Sequence, residues 1–181
     1  VAHGIHFDDA EVERLAATGT GVAHCPSSNA RLAAGMCRVT DLTAAGSPVG
    51  LGVDGAASNE AGRLFGEMRQ ALYTARLRTR AADTFMPENA LELATTGGAR
   101  CVGRDDLGKL TPGSRADLAV FPADDLEDVP DPLAALVLGP DRQAAHVLVD
   151  GRFVVRDGRL VEVDLHAARG ELRSRAVRLW Q

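Results

Sequence analysis

The stretch SPVGLGVDG, residues 47–55, decides how the rest of the chain is read. Its centre, Val49-Gly50-Leu51-Gly52-Val53, is small and apolar without alternation, as a strand covered on both faces requires. The run stops at Asp54-Gly55, so a carboxylate falls at the carboxyl end of the strand and a glycine lets the backbone turn beside it. Strands covered on both faces belong to parallel sheets flanked by helices, which predicts an α/β fold. Upstream, TGVAHCP (20–26) reads as a second strand stopped by Pro26, and VAHGIHF (1–7) as a third. Asp8 or Asp9 caps a helix through about Thr18, with Val12 and Leu15 at helical spacing. Residues 27–39 read as loop and a short turn, and Asp41 as the cap of a brief helix that ends on Gly46.

Downstream, the pattern predicts a long helix from Ala61 to Arg80 with Leu64, Met68, Ala71, Leu72 and Ala75 on one stripe. Arg63, Glu67, Arg69, Arg76 and Arg78 fall off that stripe. A further helix opens with Pro87 at its first position and runs to the Gly97-Gly98 pair. The pattern changes near Gly103. The expected division is therefore residues 1–102, built of βα units, and residues 103–181, a β-rich module with a terminal helix. In the second part, RADLAVF (115–121) and AAHVLVDGRFVVRDGRLV (144–161) read as strands, with type I′ hairpin turns at Asp150-Gly151 and Asp157-Gly158. Asp164 caps a last amphipathic helix carrying Leu165, Ala168, Leu172 and Leu179.

Composition narrows the class. The chain has 181 residues, 20 Lys and Arg against 25 Asp and Glu, and a net charge of −5. That balance argues against a nucleic-acid or anionic-membrane surface, and no apolar run reaches the roughly 18 residues of a membrane-spanning helix. Cys25, Cys37 and Cys101 show no CxxC spacing, so neither a disulfide framework nor a cysteine zinc knuckle is expected, and a reducing cytoplasm is. The opening VAHGIHF lacks the charged region of a signal peptide and reads as a strand already under way, the beginning of a piece of a larger protein.

Three successive strands deliver a His or an Asp to their carboxyl ends: His3, His24 and Asp54. In a parallel sheet those ends line one mouth, and such a set suits a divalent metal with nitrogen and oxygen ligands. The plainer alternatives are an Asx turn for Asp54 and core histidines for the other two. His6 reads as structural or supporting, and His146 and His166 have no partners nearby in sequence. Asn29 and Ser27-Ser28 suit a polar turn after Pro26, and Ser58-Asn59-Glu60 suits a cap for the long helix. No nucleophile elbow, P-loop or dinucleotide fingerprint is present. Cys25 and His24 point to opposite faces of a strand and cannot form a dyad there.

VAHGIHFDD (1–9), GVAHCPSSNARLAAGM (21–36) and VGLGVDGAASNEAGRLFGEMRQA (49–71) resemble strands six, seven and eight of the amidohydrolase superfamily, in its cytosine, guanine and adenosine deaminase and triazine hydrolase branch. LGKLTPGSRADLAVF (107–121) and VLVDGRFVVRDGRLV (147–161) resemble the composite β-sandwich beside that barrel. The resemblance implies the C-terminal three βα units of a (β/α)8 TIM-type barrel plus part of the sandwich. It implies a zinc-dependent enzyme that hydrolytically deaminates an aminated purine such as 8-oxoguanine. Alternatives are a hydroxyatrazine-type triazine or S-adenosylhomocysteine-type substrate, or a non-catalytic remnant or half-barrel partner chain. It places the metal-binding and proton-shuttling carboxylate on Asp54, a water- and substrate-orienting imidazole on His3, and supporting or substrate-facing roles on His24 and Asn29. The family's strand-one HxH pair, strand-five His and acid-base Glu have no counterpart in the sequence. Since a complete barrel takes about 250 residues, the chain alone is expected to lack deaminase activity, to self-associate through open strand edges, and to belong to a larger, homo-oligomeric enzyme.

Overall fold

The computed structural model describes residues 1–180. It divides into two units: Val1–Ser114 with Asp124–Asp141, and Arg115–Ala123 with Arg142 onward.

The first unit is α/β. Its helices are α1 (Asp9–Ala17), α2 (Pro26–Arg31), α3 (Val39–Ala45), α4 (Leu64–Thr79), α5 (Pro87–Glu92), α6 (Gly98–Cys101) and α7 (Pro132–Leu138). Its strands, β1 (Val22–His24) and β2 (Val49–Leu51), pair in parallel with Val22 opposite Val49 and His24 opposite Leu51. The core lies between this pair and the helices: Val22, Val39, Leu42, Val49, Ala71 and Leu72 are all buried, each large side chain contributing roughly 1.5–3 kcal/mol. Asp8 opens α1 with a reciprocal capping box to Glu11. Among the described residues no helix is long and apolar enough to cross a membrane.

Several local expectations are corrected. Residues 1–7 do not form a full strand: Ala2 makes a single parallel bridge to Ala23. His3 and Gly4 then adopt φ of 68° and 66°, which turns the chain off the ladder. Residues 26–31 are helical, with Pro26 in the first turn where its missing N–H is no loss. Asp41 does not cap α3, because its carboxylate is taken by Arg38 at 2.7 Å and Arg78 at 3.1 Å. Gly97-Gly98 does not stop the helix, which continues through a π-turn (Leu93–Gly97) into α6. The glycines have another use there. A Cβ on Gly50 would lie 2.7 Å from the Gly98 Cα, so this helix rests directly on the β2 backbone. Glu67, assigned by periodicity to the polar side of α4, is buried.

The second unit is an antiparallel sheet in the order β3 (Leu118–Val120), β4 (His146–Val149), β5 (Arg152–Arg156), β6 (Arg159–Leu160), followed by α8 (Leu165–Leu179). The pairs Asp150-Gly151 and Asp157-Gly158 have positive φ at both residues, as type I′ turns need. Asp164 caps α8 through the His166 and Ala167 N–H groups, and its leucines remain exposed.

Candidate active site

The carboxyl ends of β1 and β2 and the bridge at Ala2 set three turns side by side. Gly52 N–H donates to the His24 carbonyl at 2.8 Å and His3 N–H to the Ala23 carbonyl at 2.9 Å. These bonds carry His3 and Asp54 together: His3 Nε2 lies 3.8 Å from Asp54 Oδ2. Both residues adopt left-handed backbone, with Asp54 at φ 61°. Sparsely populated conformations of this kind gather at functional sites.

Asp54 is held by two hydroxyls that sequence reasoning assigned elsewhere. Ser28 Oγ donates to Asp54 Oδ2 at 2.5 Å and Ser58 Oγ to the same oxygen at 2.8 Å. Ser28 therefore does more than shape a turn, and Ser58 does not cap α4, whose N-cap position is Arg63. The Ser28 hydroxyl above all, then that of Ser58 and the Gly55 N–H, hold the Asp54 carboxyl down to a pKa of about 2. It is an anion at any physiological pH. The spacing of Ser28 and Ser58 about Asp54 was present in the sequence, but polar residues after Pro26 and before a helix have a common local use that masks it.

His3 Nδ1–H donates to Asn29 Oδ1 at 2.8 Å. A carbonyl oxygen can only accept, so this contact keeps a proton on Nδ1 and turns Nε2 toward Asp54. His24 is fully buried, and neither ring nitrogen has a hydrogen-bond partner. Burial first, then the nearby His3, lowers its pKa to about 4, so it is a neutral imidazole. Cys25 is buried as well, and desolvation followed by the Asp54 charge pushes its thiol up, which keeps it protonated and a poor nucleophile. A cavity of about 380 Å³ opens beside the cluster, with His3, His6 and Asn29 on its polar edge and Ile5, Phe7 and Leu32 as apolar wall.

As a metal site the cluster is a share and not a whole. Asp54 Oδ2 carries both hydroxyls, and the anionic carboxylate with the His3 imidazole offers the oxygen and nitrogen donors that a divalent cation takes. Among the described residues, however, no group of three or more His, Cys, Asp or Glu converges, and catalytic zinc commonly takes three protein ligands.

Comparison with known proteins identifies the family. Residues 1–154 match the amidohydrolase family. The chain is 52% identical to an 8-oxoguanine deaminase of Pseudomonas aeruginosa, over 92% of this chain and 37% of that protein. It is 45% identical to a 5-methylthioadenosine/S-adenosylhomocysteine deaminase of Haloarcula marismortui, over 90% of this chain and 38% of that protein. Among solved structures it superposes on an adenosine deaminase of Xanthomonas campestris with bound zinc, with a TM-score of 0.93, 30% identity, and coverage of 98% of this chain and 41% of that one. An atrazine chlorohydrolase of Arthrobacter aurescens complexed with zinc gives a TM-score of 0.87 and 31% identity, with coverage of 96% and 39%. The chain spans about two fifths of the length of these relatives. Its sequence and its α/β fold show that it belongs to the amidohydrolase family.

Proposed function

We propose that this chain is the part of a zinc-dependent amidohydrolase that carries the last three βα units of its barrel, residues 1–102, and a share of its β-sandwich, residues 103–181. The whole enzyme would hydrolytically deaminate an aminated purine, 8-oxoguanine being the first candidate. The observation that carries the reading is Asp54, an anionic carboxylate fixed at the end of β2 and 3.8 Å from His3. The 52% identity to an 8-oxoguanine deaminase supports the choice of ring.

Asp54 would serve as one metal ligand, with the remaining ligands supplied from outside this chain. A bound zinc ion lowers the pKa of its water to about 7. Asp54 would take the proton from the attacking water on its carboxylate, which carries none of its own at neutral pH, and return it to the departing amine. His3, its Nδ1–H held by Asn29, would present Nε2 to the water and the ring and orient both. His24, neutral and buried, would support His3 from behind. The apolar wall of Ile5, Phe7 and Leu32 with a polar edge at His3 and Asn29 is the surface a flat heterocycle needs.

The test is a hybrid in which this chain replaces the matching segment of the Pseudomonas aeruginosa enzyme. The hybrid is expected to release ammonia from 8-oxoguanine, the isolated chain to release none, and Asp54→Asn to remove most of kcat in the hybrid. Ammonia release by the isolated chain, or an Asp54→Asn hybrid with an unchanged rate, would overturn the reading.

A further inference from the structure

We propose that Glu67 is a positioning residue for Asp54, acting through Ser27 and Asn59 to hold the Ser28 and Ser58 hydroxyls on the Asp54 carboxylate. Its importance to the reaction rests on the role given to Asp54 above; the structural coupling does not.

Glu67 is 2% exposed on α4, one turn from that helix's start. A buried carboxylate is costly unless it is hydrogen-bonded, and each oxygen here has a different partner. Oε2 accepts from the Ser27 backbone N–H at 3.0 Å, and Oε1 from Asn59 Nδ2 at 2.8 Å. The two donors lie 32 residues apart, in the first turn of α2 and in the loop between β2 and α4. One side chain therefore ties together the two segments that carry the hydroxyls. Ser27 is followed directly by Ser28, and Asn59 is preceded directly by Ser58; these neighbours are the residues that donate to Asp54 Oδ2.

The tie is also specific in its chemistry. Helix α2 starts at Pro26 with no side-chain cap of its own, so its Ser27 N–H needs an outside acceptor. Asn59 presents its NH2 to Glu67 while its carbonyl oxygen faces the Gly62 N–H at 3.4 Å. A carboxylate accepts from both donors at once; an amide of the same size accepts from one and confronts the other with a donor. The same two segments are bridged again at the surface by Arg31 and Glu60. Those side chains are mostly exposed, and solvent-screened pairs of that kind hold geometry weakly. The inner tie is the one that can fix the hydroxyls within the tolerance that a reactive carboxylate demands.

The experiment uses the full chain with 13C-labelled aspartate carboxyls, the Asp54 resonance being assigned by its loss in Asp54→Asn. Glu67→Gln is expected to move that resonance at neutral pH toward its position in the Ser28→Ala/Ser58→Ala double variant. Adding Asn59→Asp to Glu67→Gln exchanges donor and acceptor across the contact, and is expected to bring the resonance back. An unmoved resonance in a folded Glu67→Gln chain overturns the proposal, as does a displacement that Asn59→Asp fails to correct. Should circular dichroism show that Glu67→Gln does not fold, Asn59→Ala severs one arm alone: a displaced Asp54 resonance supports the proposal and an unmoved one overturns it. In the hybrid enzyme, Glu67→Gln is expected to lower kcat by about 10- to 100-fold with KM little changed, and Asn59→Asp to recover it. Failure of Asp54→Asn to slow the hybrid would remove the role of Asp54, while the resonance would still decide whether Glu67 holds the cluster.

Discussion

The Ser28 hydroxyl donates to Asp54 Oδ2 across 2.5 Å, joining residues 26 positions apart, one inside α2 and the other in the loop after β2. It is the largest cause of the low Asp54 pKa, ahead of Ser58 and the Gly55 N–H. A carboxyl depressed in the folded state adds stability that is present above its unfolded value and is lost as pH falls through about 2. Ser28→Ala should therefore raise the Asp54 pKa toward the ordinary 3.8, by more than Ser58→Ala does. A 13C titration of the Asp54 carboxyl reads both values, and a larger rise in Ser58→Ala would reverse the ranking of the two hydroxyls.

His24 gives a dependence of the same sign over a higher pH range, because folding disfavours its charged form. Its pKa is lowered from 6.5 to about 4, first by burial and then by His3. The unfolded chain binds a proton at His24 before the folded chain does, so this contribution to stability is complete above pH 6.5 and declines as pH falls toward 4. The loss should be on the order of 3 kcal/mol at its limit. Urea denaturation of the wild type at steps between pH 7 and 4.5 should show a steady decline. His24→Leu should be flatter over the same interval, and parallel curves for the two proteins would show that another group is responsible.

Gly50 tests the contact between β2 and the helix after α5. An added methyl would meet the Gly98 Cα at 2.7 Å, and backbone cannot give way as a side chain tip does. Gly50→Ala should destabilise the chain by about 1–3 kcal/mol, as overpacking does, with a lower urea midpoint as the readout. The Asp54 carboxyl resonance should stay in place in the folded fraction, because its hydrogen-bond donors, Ser28, Ser58 and Gly55, lie outside both β2 and the helix packed on it. A midpoint equal to that of wild type would mean that the helix is free to lift off the strand.

What the sequence disclosed depended on whether a residue's purpose was local. VGLGV announced β2, and Asp-Gly pairs announced both hairpin turns, because each follows from its own backbone requirements. Asp54 and His3 were visible as residues at strand ends, and the structure brings them to 3.8 Å. Glu67 was not visible. Helical periodicity places it off the apolar stripe, and only packing shows that its two hydrogen-bond donors, Ser27 and Asn59, come to it and allow burial. Ser28 and Ser58 look like turn and cap residues in sequence for the same reason: a short hydroxyl near a helix start has a good local use, and its long-range partner leaves no trace in spacing. The strand expected at residues 1–7 failed at His3 and Gly4, where left-handed backbone overrides an apolar pattern that otherwise suits a ladder.

The left-handed backbone of Asp54 gives a further prediction. At φ 61° an L-residue carries a steric cost of about 1–2 kcal/mol between its Cβ and the following carbonyl. Glycine removes that cost and alanine keeps it, while both lose the hydrogen bonds from Ser28 and Ser58. Asp54→Gly should thus be more stable than Asp54→Ala by about 1 kcal/mol, as measured by urea midpoints at neutral pH, although both lose the carboxylate. If the two variants unfold together, the conformation at this position is imposed by the carboxylate and its hydroxyl partners, and relaxes once they are gone. If glycine is the more stable, the turn itself demands the left-handed residue, and the aspartate is kept there against its own backbone preference.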